Sequence, residues 1–247
     1  PSGMHVLHSV TDNGYTVELL NSTGALEVGH NPLHICIKNS NGSVVSNATV
    51  SWAPLMTMDM GGNTHQHSCP HSAITPTGND AAPYQGYIVF NMASSTMGSW
   101  EIPVTYDTGG GPRTVNMAVN VATSDSEFRK RYTSTVGSDG VTYLMAMIEP
   151  SAPATGVNAM MVGLYKRESG MEFPVVNGYT IRVDPRMPGM GNHGAPGNVN
   201  LTQGTDGFYH GSVGFSMTGY WKINLIVEHA GTTLCGEPVT AGNTESS

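Results

Sequence analysis

Charge is the first thing this sequence lacks. Lysine, arginine, aspartate and glutamate make up 11% of its 247 residues, against roughly 25% in an average soluble domain. Gly, Ser, Thr and Asn stand in their place. The resulting surface of hydroxyls and amides suits an exported protein, periplasmic or at the cell surface, better than a cytosolic enzyme. What charge remains is acidic, with a formal net charge of -8. Binding phosphate needs clustered Lys and Arg, so a nucleic-acid partner is excluded. The one basic run, Arg129 to Arg131, reads as a solvated linker. No apolar run approaches the roughly 20 residues of a membrane span, and no signal-peptide pattern is present. The chain begins PSGMH, without an initiator methionine, which reads as a mature or trimmed product.

Cysteine is scarce too. Cys36, Cys69 and Cys235 allow at most one intramolecular disulfide, and Cys69–Cys235 and Cys36–Cys235 both remain open. Cys36 shares strand parity with His34 and Lys38, which makes it a semi-exposed thiol or a disulfide partner. There is no Cys-x-x-Cys-His run for covalent haem. Catalytic signatures are missing: carboxylates are scattered, no Gly-x-Ser-x-Gly occurs, and Cys69 near His71 in one loop implies no nucleophile geometry. The stretch GMGNHG (189–194) fits Gly-x-Gly-x-x-Gly. The APGNVNLTQG that follows, however, cannot form the helix whose N-terminus would hold a pyrophosphate. No enzymatic activity is expected.

Helix signals are nearly absent, and short alternating runs bounded by turn residues take their place. The first half offers 15–20, 33–38, 48–58, 84–92, 99–107 and 113–122. The second offers 141–150, 157–167, 178–185, 208–217 and 220–229. The expectation is an all-β protein of two tandem immunoglobulin-like β-sandwich domains, at 1–124 and 132–247, joined by a linker at 125–131 where charge concentrates. A repeat supports the division. YQGYIVFNM (84–92) aligns without gaps on YHGSVGFSM (209–217), and GSWEI (98–102) on GYWKI (219–223). Upstream, MDMGGNTH (58–65) corresponds loosely to MPGMGNH (187–193).

Methionine is in excess, at 15 residues. Met92, Met217, Met145 and Met147 read as packing. Met58, Met60, Met187 and Met190 differ, since they lie at strand ends beside Gly and His. Thioether sulfur is a soft ligand suited to Cu(I), and imidazole suits copper or zinc. Residues i and i+2 of a strand face one way, so Met56, Met58 and Met60 can line one side, with His65, His67 and His71 folding back over them. In the second half Met187, Met190 and His193 fall within seven residues. No carboxylate lies among them, which disfavours Ca²⁺. Zinc at HQHSCPH (65–71), with Cys69 as thiolate, is the alternative. Copper stands ahead because the second cluster has Met and no Cys.

The repeated block of paired Met, Gly/His, Tyr-x-Gly strand and Gly-x-Trp strand resembles the YtkA-like/FixH-like family of exported or membrane-attached β-sandwich domains. The resemblance spans about 40 residues at the end of each half. It implies a sandwich whose Met/His rim holds copper. Met187, Met190 and His193 match in the second half; Met58, Met60 and His65 match in the first, where QHSCPHS expands the loop. The expected function is copper storage, delivery or resistance, with the metal ion as partner. A structural or assembly subunit of an extracellular complex, with a protein partner or self-assembly, is the second expectation.

Overall fold

A computed structural model describes residues 3–79, 81–124 and 129–237. Among these residues there is no α-helix, and a short 3-10 turn lies at Pro188–Met190. The protein is all-β, and no helix is long and apolar enough to cross a membrane. The chain forms two compact units: Pro1–Asp125 with Ser169–Glu172, and Ser126–Glu168 with Phe173–Ser247. Residues 125–128 of the expected linker lie outside the described residues. Next to them, Arg131 is not free in solvent as a linker residue would be, because its guanidinium donates to the carbonyls of Ile148 and Pro150.

The strands of the first unit are β1 (His5–Asp12), β2 (Tyr15–Asn21), β3 (Leu26–Glu27), β4 (Gly29–Lys38), β5 (Thr49–Trp52) and β6 (Leu55–Asp59). They continue as β7 (Thr64–His67), β8 (Thr75–Pro76), β9 (Tyr84–Phe90), β10 (Gly98–Asp107), β11 (Arg113–Val119) and β12 (Val121–Ala122). One sheet runs β1-β2-β4-β9-β8 and the other β11-β10-β6-β7, with β5 also on β10. The expected 48–58 strand is split into β5 and β6 by Ala53–Pro54, since proline has no N–H to give to a ladder.

The period-2 pattern explains why the two sheets face each other. Val17, Leu19, Leu33, Ile35, Ile37, Ile88 and Phe90 from the first sheet meet Met56, Trp100, Ile102, Val104 and Met117 from the second in one buried cluster. The product is a sandwich-like core. Across it Asp12 of β1 takes a bidentate hydrogen bond from Arg113 of β11, at 2.6 and 2.9 Å. This pairing holds the Asp12 carboxyl below its ordinary pKa.

The second unit is built of β13 (Tyr132–Val136), β14 (Thr142–Glu149), β15 (Gly156–Lys166), β16 (Thr180–Met187), β17 (His193–Gly194), β18 (Val199–Gln203), β19 (Tyr209–Phe215), β20 (Lys222–His229) and β21 (Thr232–Cys235). They form one continuous sheet, β13-β14-β15-β19-β18-β16-β20-β21, with β17 on β16. Tyr143, Val162, Leu164 and Val213 from one end of this order share a core with Ile181, Val183 and Val227 from the other. Strand β18, paired to both β19 and β16, carries the sheet from one side of that core to the other.

The repeat seen in the sequence has a physical counterpart. Strands β9 and β19 carry the same burial pattern along their seven residues. Each opens on a tyrosine whose hydroxyl bridges two backbone groups three residues apart. Tyr84 accepts from Ala48 N–H at 2.7 Å and donates to Val45 O at 3.0 Å. Tyr209 accepts from Tyr179 N–H at 3.3 Å and donates to Val176 O at 2.7 Å.

Candidate metal centre

The β6–β7 hairpin assembles the site of the first unit. Its register sets Met56 opposite His67 and Met58 opposite His65, and directly opposite residues share a face with Cβ atoms about 4.5–5.5 Å apart. On its other side β6 pairs with β10, which places Met56 beside Trp100 and Met58 beside Gly98. At the Met56–Trp100 row the face is the inward one, because both residues are fully buried and Met58 packs against the core; towards the hairpin end it opens, with His67 half-buried and His65 exposed. Glycine at position 98 makes room for the methionines: a Cβ there would stand 3.0 Å from Met56 Sδ and 3.4 Å from Met58 Cγ.

His67 is the centre of the arrangement. Its Nδ1 lies 2.9 Å from the Ser68 carbonyl, which can only accept, so Nδ1 carries the proton. In the neutral ring Nε2 is then a bare lone pair. It faces Met92 Sδ at 3.2 Å, and a thioether has no proton to offer. In that form two electron-pair donors face each other. Metal–nitrogen and metal–sulfur distances of about 2.0 and 2.3 Å, those of tetrahedral zinc, separate such donors by about 3.5 Å, close to the spacing seen. The Nδ1–H bond to a backbone carbonyl also has the form by which metal-binding histidines are oriented. The His65 ring lies 6.4 Å from that of His67, and Trp100 sets its edge against His67 at 5.6 Å and 90°. Trp100 also fixes Met92, donating from Nε1 to the Met92 carbonyl at 3.0 Å.

Met92 packs against the core cluster, as expected from the sequence, but its approach to His67 is what sequence reasoning missed. It follows β9, in the sheet opposite β7, so its partner is 25 residues away and strand parity could not reveal it. Met60 lies beyond Met58 in the hairpin turn and is 59% exposed. His71 is exposed, its Nδ1 held by the Cys69 carbonyl at 2.8 Å, and it forms an isolated bridge to Ile88 of β9.

Cys69 does not belong with the loop histidines. It is fully buried in the core cluster, and burial pushes its thiol well above the ordinary value. The chain turns inward after β7 because Val89 N–H bonds the Pro70 carbonyl, drawing this segment along β9. Cys36 is buried rather than semi-exposed, and all three cysteines are free thiols.

In the second unit Met187 sits opposite His193 across β16 and β17. Its equivalent by position is Met56, and that of His193 is His67, rather than the Met58 and His65 suggested by the aligned sequences. The strand register agrees, with Trp100 opposite Met56 and Lys222 opposite Arg186, and Trp221 Nε1 donates to the Met217 carbonyl at 3.0 Å, as Trp100 does to that of Met92. Met190, in the 3-10 turn, is 58% exposed. Met217 is 38% exposed, which overturns its reading as packing: the strand ends at Phe215, and parity no longer governs side chains beyond it. Met145 is buried and Met147 packs on the core, as expected.

Among the described residues, no three His, Cys, Asp or Glu side chains are gathered as a metal would require. The donors that do converge are thioethers and imidazoles. Comparison of the chain with family models and with curated proteins finds no match.

Proposed function

We propose that this is an exported Cu(I)-binding protein, acting in copper storage, delivery or resistance without catalytic turnover. The single observation that carries it is His67 Nε2 facing Met92 Sδ at 3.2 Å, with Met58 and His65 paired one row further along the same hairpin. His67 and Met92 would be the core ligands, with Met58 and His65 completing the set. Neutral nitrogen and sulfur donors favour a soft, singly charged cation. A hard cation finds no carboxylate in the set. The low-charge surface supports export to the periplasm or cell surface. The resemblance to YtkA-like/FixH-like domains points the same way, as does a reading of the two units as tandem immunoglobulin-like sandwiches, supported by the facing sheets of the first and the repeated tyrosine bridge.

Titration of the full chain with Cu(I) against a competing chelator, and separately with Zn²⁺, tests this. Copper held at micromolar or tighter affinity, with zinc much weaker, is the expected result. No copper binding, or a preference for zinc, defeats the proposal.

A further inference from the structure

The second unit repeats the tyrosine and tryptophan strands of the first but arranges its donors differently. Met187 is buried and directly opposite His193. Its Cε stands 3.0 Å from where a Cβ on Gly219 would be, much as Gly98 gives space to Met56. The His193 and Phe215 rings lie 6.3 and 5.6 Å from Trp221, as His67 and Phe90 lie 5.6 and 5.0 Å from Trp100. Two features break the correspondence. His193 Nε2 is engaged by the Ser216 hydroxyl at 3.2 Å, where His67 Nε2 faces a sulfur. Met217, the counterpart of Met92, is 38% exposed.

We infer that the second unit holds a weaker, faster-exchanging Cu(I) site made of Met187, His193 and Met217, which forms only when His193 releases Ser216. This rests on the copper reading of the first unit. In the first site the donors already face each other, so little ordering accompanies binding. In the second, the Ser216–His193 bond must break and an exposed side chain must be fixed. Each of these lowers affinity, because binding draws on a competent state that is only partly populated. The chain would then retain one copper ion at the first unit and pass a second through the other, where the partly exposed Met217 side chain leaves the metal open to an acceptor's ligand.

Anaerobic titration of the full chain with Cu(I) under a competing chelator should give two steps, the second weaker by on the order of tenfold or more. His193→Ala and Met217→Leu should each abolish the second step and leave the first intact. His67→Ala should weaken the first step and spare the second. Ser216→Ala removes the competing hydroxyl and should tighten the second step by roughly three- to tenfold, the worth of one exposed hydrogen bond. Circular dichroism of each variant identifies any that fail to fold. Met217→Leu, at an exposed position, serves if His193→Ala does not fold. A single step lost in His67→Ala but untouched by His193→Ala and Met217→Leu overturns the second site while leaving the first standing. No copper uptake by the wild type overturns both.

Discussion

Replacing Met92 by leucine separates ligation from packing in the first unit. Leucine nearly conserves the volume of methionine, and such swaps in partly packed positions cost less than about 1.5 kcal/mol. The hydrogen bond from Trp100 goes to the Met92 backbone carbonyl, and that of His67 Nδ1 to the Ser68 carbonyl, so both survive the substitution. Only the sulfur facing His67 Nε2 is removed. If that sulfur is a ligand, Cu(I) affinity should fall on the order of a hundredfold, equivalent to about 2.7 kcal/mol. The metal-free urea midpoint should move little. Chelator competition reads the first quantity and urea unfolding followed by tryptophan emission reads the second. An affinity within twofold of wild type, or a stability loss above about 3 kcal/mol with copper binding intact, would mean that Met92 is packing and that the 3.2 Å approach has no role in metal binding.

Tyr84→Phe leaves the Ala48 N–H and the Val45 carbonyl without their shared partner and should cost about 2–4 kcal/mol in urea unfolding, at roughly 1–3 kcal/mol for each orphaned group; Tyr209→Phe should show the same order of loss in the second unit. His34 has an enclosed Nδ1 with no hydrogen-bond partner, and desolvation lowers its pKa against the pull of the Ala82 backbone. The unfolded chain therefore binds this proton more readily. Stability from this group is present above about pH 6.5, the unfolded imidazole value, and is lost as pH falls toward the folded value. His34→Gln should flatten that part of a urea-midpoint profile, and an unchanged slope would refute the assignment. Cys69 should resist a thiol reagent at neutral pH until the first unit unfolds, because burial suppresses its thiolate; labelling as fast as that of a free thiol would place it outside the core.

The strands that could be read from the sequence are those with one buried face. Strand β10 alternates buried and lesser-buried positions through nearly all of its length, and Trp100, Ile102, Val104 and Tyr106 mark it plainly. Strand β1 has no fully buried residue, and β18 has Leu201 alone, so periodicity had nothing to register. Their strand character comes from pairing with a neighbour, which is a non-local fact. The candidate site divides along the same line. Met58, His65 and His67 were visible because a hairpin is local and its parity follows from spacing. Met92 was not, because it meets His67 across two sheets. Cys69 was misjudged because its polar neighbours suggested a loop in solvent, when the segment is drawn in along β9.

The glycine before each tryptophan shows how the local and non-local parts combine. Glycine adds no side chain to pack and usually weakens a strand, yet Gly98 and Gly219 both stand two residues before the tryptophan that fixes a methionine carbonyl. Each has a methionine atom 3.0 Å from where its Cβ would be. An alanine at 98 would press on Met56 Sδ, and Met56 is directly opposite His67, so the strain would pass to the ring whose Nε2 faces Met92. At Gly219 the backbone φ of +138° adds a second reason for glycine. Glycine at each position lets a methionine close against the chain, by its sulfur at 98 and by its methyl carbon at 219, and so sets the Met56 and Met187 side chains beside the segment that carries the tryptophan.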